Sequence, residues 1–115
     1  MAAAAYTTDG DLLAIVDIGP FCDAASLCGE TGVILEAHRR ATGIASIACV
    51  TRVAAGSPAL VLSPCGICQE RLFDWGLGVE VAVPRADDPT RWGAKTLGDL
   101  QPHHVSEAFT EARRE

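Results

Sequence analysis

Two short segments of this chain carry groups that could do chemistry together: Cys28-Gly29-Glu30 and Ser63-Pro64-Cys65-Gly66-Ile67-Cys68. They supply three thiols and one carboxylate. Cys65 and Cys68 stand at i, i+3, which on a helix puts both on one face with Cβ atoms about 5–6 Å apart. Two thiolates at that spacing can grip one tetrahedral zinc ion, and Cys28 would add a third ligand. Three protein ligands leave a fourth position for water, the mark of a catalytic rather than a structural site.

Glu30 is two residues from Cys28, and side chains at i, i+2 of a helix point apart. It is therefore better placed to reach past a metal toward its water than to ligate the ion. Zinc lowers the pKa of water to about 7, and a carboxylate beside it can take that proton and pass it on to a substrate. Each part also has a plainer reading. A CxxC pair marks redox couples and structural zinc as well, and a first-turn Glu is most often solvated. Cys22 could line a pocket near Cys28, or be a fourth ligand that closes the site into an all-cysteine structural one.

These residues need two helix starts that face each other. Ser26 is the expected cap of one helix over residues 26–42, with Val33, Ile34, Ala37 and Ala41 as its apolar face and Gly43 as its stop. Ser63 caps the other, with Pro64 in its first position and Gly76 closing it after residues 64–75. Unpaired N–H groups at both starts would favour thiolates. Strands are expected at 2–8 and 12–18, joined by a turn at Asp9-Gly10. Further strands are expected at 44–54, central and buried on both faces, at 78–84 and at 94–97. A loop spans 19–25, a polar loop 85–93, and residues 98–114 read as partly helical. Strands alternating with helices imply a layered α/β sheet with parallel pairs and a ligand site at strand carboxyl ends.

A chain of 115 residues fits one domain over 1–115, and 49% apolar composition suits an ordinary globular core. A net charge of −6 with nine basic residues argues against nucleic acid as a partner. The alanine run at 2–5 is too short for a signal or a membrane span. Five cysteines without a secretory signal imply a reducing cytoplasm. Cys49, in an apolar run, reads as a core residue.

With these segments in place, the chain resembles the small zinc-dependent cytidine deaminases, and among them the blasticidin S deaminase type. The resemblance covers residues 7–109. It includes Thr8-Asp9-Gly10-Asp11, both cysteine segments, and Thr96-Leu97-Gly98-Asp99-Leu100-Gln101-Pro102-His103-His104. It implies an α/β/α sandwich around a mixed five-stranded sheet. It also implies a zinc ion held by Cys28, Cys65 and Cys68, with Glu30 as proton shuttle. The backbone of Gly29 and the Ser63-Pro64 turn would contact the ring and the leaving amine. The implied reaction replaces the exocyclic amine of a cytosine-type base, nucleoside or nucleoside analogue with oxygen and releases ammonia. The implied assembly is a homotetramer, in which the tail 97–109, with His103 and His104, approaches a neighbour's pocket. Rival readings are a structural zinc module and a catalytically idle protein of the same fold.

The chain departs from the family in four places. The N-x-E stretch that holds ribose is matched by Asp17-Ile18-Gly19, so one acceptor is lost. Asp17 and Phe21 are the expected pocket residues, with ordinary loop packing as the alternative. Thr31 stands where three-cysteine members often carry an Arg that bonds the ligand sulfurs, and Arg71 is a possible substitute for it. Gly29 replaces the usual Ala, at some cost in helix propensity. The family's N-terminal helix is missing, which implies either a less covered sheet face or a start further upstream. Trp75 and Trp92 are expected to pack or to lie at interfaces, and His38 to face solvent.

Overall fold

The computed structural model describes residues 1–109. Its strands are β1 (Ala2–Thr7), β2 (Leu12–Val16), β3 (Ile44–Thr51), β4 (Leu60–Leu62), β5 (Glu80–Pro84) and β6 (Trp92–Thr96). The helices are α1 (Gly29–Arg39), α2 (Gly66–Leu72) and the single turn α3 (Leu97–Leu100). Short 3-10 turns cover Asp23–Ala25, Phe73–Trp75 and Val105–Phe109. Strands β2-β1-β3-β5-β6 form one mixed sheet, and the three-residue β4 joins as a sixth strand beside β3. The pair β3/β5 is parallel and every other pair is antiparallel. The expected mixed α/β sheet is therefore present.

The β1–β2 turn forms as expected, with Gly10 at φ +90° and the Thr7 amide bonded to the Asp11 carbonyl at 2.9 Å. Other boundaries differ from the sequence reading. Helix α1 starts at Gly29 rather than Ser26, because the Ser26 amide closes the preceding 3-10 turn onto the Asp23 carbonyl at 3.0 Å. It ends at Arg39, before the stop expected at Gly43, and the residue with left-handed backbone beyond it is Ala41 (φ +55°). Helix α2 starts after Cys65, not after Ser63, since the first intrahelical bond runs from the Gln69 amide to the Cys65 carbonyl, 2.8 Å. The part of the expected helical tail at 110–114 lies outside the described residues.

The core sits between one sheet face and α1. Ala3, Ala5, Leu13, Ile44, Ile47, Cys49 and Val81 from the strands meet Val33, Ile34 and Ala37 of α1, with Leu72 and Leu97 closing the end. Strand β3 is central, but its burial alternates along its length, so it is buried on one face and not on both. On the opposite face Tyr6, Leu12, Val50 and Trp92 are exposed. They rim an apolar concavity of about 320 Å³ floored by Ala4, Ala48, Ala82 and Ala94. No described helix covers this face. Among the described residues no helix is long and apolar enough to cross a membrane.

Candidate metal centre

Cys28 and Cys65 are the N-cap residues of α1 and α2. An N-cap has extended backbone, so its side chain is free to turn away from the helix it precedes. The two caps turn toward each other, and their sulfurs are 3.8 Å apart. Cys68, fully buried on α2, completes a group whose three sulfurs all lie within 4.8 Å of one another. Cys22 is exposed and lies outside this group.

The electrostatics of the trio are uneven. Burial pushes the Cys68 thiol up to about 12, helped by the Glu30 carboxylate and the other two sulfurs. Burial also raises Cys28, with the Cys65 thiol adding to it. Cys65 moves the other way, because the Cys68 N–H at the helix start is directed at its sulfur. Three sulfurs this close cannot all ionise unless a cation lies among them.

Glu30 stands in the first turn of α1, 4% exposed. Its Oε2 is buried without any hydrogen-bond partner. A buried carboxylate oxygen left unpaired costs free energy, so its environment is incomplete without a ligand. Beneath it lies Cys49, whose thiol is pushed up to about 12 by burial first and by Glu30 second. The sequence reading placed Cys49 in the core, where it is. Its position under the carboxylate had no local signal, because β3 and α1 meet only through the fold.

Gly29 is buried against β1, where an added Cβ would sit 3.3 Å from the Ala3 nitrogen. The departure from the usual Ala therefore matches a close approach of strand and helix. Ser63 is exposed and Pro64 buried, both next to Cys65. Arg71 donates to the Thr31 hydroxyl at 2.7 Å, joining α2 to α1 beside the site. Asp17 pairs with the Met1 ammonium at 3.0 Å, and the Phe21 ring is fully exposed. His103 is exposed. The His104 ring stacks on Phe73 with centroids 4.1 Å apart and bonds Glu70 at 2.8 Å, so within this chain it packs on α2.

No family model matches the chain, and no curated protein does either. Solved structures do. The cytidine deaminase from Bacillus anthracis is 40% identical over 96% of this chain and 78% of its own, with a TM-score of 0.87. The cytidine deaminase from Mycobacterium tuberculosis is 28% identical over 90% of this chain and 76% of its own, with a TM-score of 0.65. The Mycobacterium leprae enzyme reaches 0.66 at 20% identity, a likeness of fold alone. With helix starts, thiols and carboxylate placed as described, and with this identity and coverage, the chain belongs to the cytidine deaminase family.

Proposed function

We propose that this protein is a zinc-dependent hydrolytic deaminase of a cytosine-type base, nucleoside or nucleoside analogue. The observation that carries the reading is the convergence of three thiols within 4.8 Å beside a buried Glu30 oxygen with no partner. Soft thiolate donors in a group of three suit zinc with an open position. Cys28, Cys65 and Cys68 would hold it. When bound, zinc supplies a Lewis acid that acidifies water. Glu30 would take one proton from an attacking water and deliver it to the ring nitrogen of the substrate. The water oxygen would bond the ring carbon that bears the amine, and as the C–N bond breaks Glu30 would carry the second proton, from the new hydroxyl, to the departing amine, leaving a carbonyl and ammonia. Burial suits Glu30 to this task, since no solvent competes for its free oxygen. The backbone of Gly29 and the Ser63-Pro64 turn would orient the ring. Asp17 is the one remaining side chain for the sugar in its stretch, which favours an altered or modified sugar over plain ribose. Phe21 would reach a substrate only through the loop that carries it.

The deciding experiment is an ultraviolet assay on cytidine, deoxycytidine, cytosine and blasticidin S, with metal content measured on the same sample. About one zinc per chain and turnover of one of these is expected. Zinc without turnover on the whole panel would favour an idle fold or a structural module. The open apolar face, together with the family resemblance, favours a homo-oligomer, a tetramer by that resemblance, working in the cytoplasm. Light scattering at micromolar concentration should give a multiple of the monomer mass. Truncation after Leu100 should lower that mass and the activity together; an active monomer refutes the assembly.

A further inference from the structure

Gln69 and Glu70 follow the candidate ligand Cys68 directly, and each holds a residue of the C-terminal segment. Gln69 donates through Nε2 to the Pro64 carbonyl at 2.8 Å. Its Oε1 accepts from Gln101 Nε2 at 2.9 Å. Its backbone N–H is bonded to the Cys65 carbonyl at 2.8 Å. Side chain and main chain of one residue thus grip two successive carbonyls, those of Pro64 and Cys65. One position on, Glu70 bonds His104, whose other ring nitrogen lies 2.7 Å from the Ser106 hydroxyl.

This arrangement matters because of where Cys65 sits. It is an exposed N-cap, and Gly66 and Ile67 after it are exposed too. The buried Pro64 ring fixes one side of the peptide before Cys65, and the carbonyl of that peptide is left to a hydrogen bond. The direction of its sulfur is set by the peptide that precedes it, whose carbonyl Gln69 holds. We propose that Gln69 is a positioning residue for the metal-bearing turn, and that Gln101 makes the segment after β6 a strap that keeps Gln69 in place. The proposal rests on the reading of Cys65 as a metal ligand. It assigns the tail a task within its own subunit, apart from any contact with a neighbour.

The test uses the protein as purified and the variants Gln69→Leu, Gln69→Glu, Gln101→Leu and the Gln69→Leu/Gln101→Leu double. Amide exchange by mass spectrometry reads the turn, and zinc release to a chromophoric chelator reads the site. Gln69→Leu should speed exchange over residues 63–69 while the α1 segment 29–39 is unchanged. It should also release zinc roughly 10–100-fold faster, the usual cost of losing a partner that orients a ligand. Gln69→Glu keeps the acceptor for Gln101 but loses the donor to Pro64, and should behave like Gln69→Leu. Gln101→Leu should give a smaller effect in the same direction, and the double should not exceed Gln69→Leu alone. Wild-type exchange and wild-type zinc release in Gln69→Leu would overturn the proposal. Effects of Gln69→Leu and Gln101→Leu that simply add would overturn the strap. A general drop in melting temperature with faster exchange in both helices would reduce Gln69 to a structural role and overturn the positioning claim. If exchange responds as expected but the protein carries no zinc, the metal reading fails while the grip on the turn stands.

Discussion

The two helix starts that meet at the candidate metal centre are built in opposite ways. At the start of α1, Gly29, Glu30 and Thr31 are all buried, and Gly29 lies against the β1 backbone. At the start of α2, Cys65, Gly66 and Ile67 are exposed, and the turn is held by hydrogen bonds from Gln69. The carboxylate that would move a proton thus stands on the rigid side. The side with two ligands is an exposed turn between buried Pro64 and buried Cys68, tied by part-buried hydrogen bonds of Gln69. Burial fixes a position through many small contacts at once, whereas a single hydrogen bond contributes about 1 kcal/mol. The first arrangement suits a group that must stay dry and aligned, the second a loop that must admit a metal and a substrate.

The largest expected effect belongs to the rigid side. Glu30→Gln keeps the size and polarity of the side chain but cannot carry a proton, so activity should fall by about 10²–10⁴-fold. Zinc content and melting temperature should stay close to wild type. An active Glu30→Gln protein would move the proton carrier to another residue. Next come the ligands. Cys68→Ala should lose most of the zinc and also destabilise the fold, since Cys68 is fully buried and the ion would pin both helix starts. Cys65→Ala should lose zinc with a smaller loss of intrinsic stability, because Cys65 is exposed. Cys22→Ala should keep the metal. Melting curves with and without a chelator separate the two costs, and equal metal-free stability for Cys65→Ala and Cys68→Ala would erase the contrast.

Much of this centre was legible in the chain. The i, i+3 thiols, the C-x-E segment and the Gly at position 10 of the hairpin turn are local patterns, and local patterns survive folding. The cap assignments were not legible, because Ser26 and Ser63 are good caps by type and competing local turns displaced both helix starts. Ser26 closes a 3-10 turn. Pro64 gives its carbonyl to Gln69. Cys49 under Glu30 and the Arg71–Thr31 bond join elements far apart in sequence, and single-residue patterns do not carry such pairs. The double burial expected of β3 failed for a similar reason. An apolar run records what a strand tolerates on both faces, not whether a second layer is present, and here one face meets no described helix.

Removal of the metal should reveal the electrostatic difference between the sites. Cys65 sits below the ordinary thiol range, Cys28 above it and Cys68 at about 12. In the metal-free protein at pH 8, Cys65 should alkylate first, Cys28 later and buried Cys68 last, as read by mass spectrometry. The same shifts set the pH dependence of metal retention. Two of the three thiols are raised, so in the free site they are protonated at neutral pH, and metal uptake must release those protons. Retention should therefore weaken as pH falls and strengthen as it rises. Alkylation of Cys68 ahead of Cys65 would contradict the assigned burial.

The smallest effect offers the most direct comparison, since each helix has a glycine immediately after its N-cap cysteine. An alanine at Gly66 would meet nothing within 4 Å. Its gain is the entropy removed from the unfolded chain, about 0.4–1 kcal/mol. An alanine at Gly29 gains the same entropy, but its Cβ would lie 3.3 Å from the Ala3 nitrogen and 3.4 Å from the Ala3 Cβ. That neighbour is backbone, held in register between β2 and β3, so it yields only by shifting the strand. Overpacking of this kind costs about 1–3 kcal/mol, which exceeds the entropy gain. Gly66→Ala should thus raise the denaturant midpoint slightly, and Gly29→Ala should lower it by the equivalent of about 1 kcal/mol, with the denaturant slope unchanged in both. A stabilised Gly29→Ala would mean that the end of β1 gives way easily. The start of α1 would then be no more rigid than the start of α2, and the placement of Glu30 on a fixed support would lose its basis.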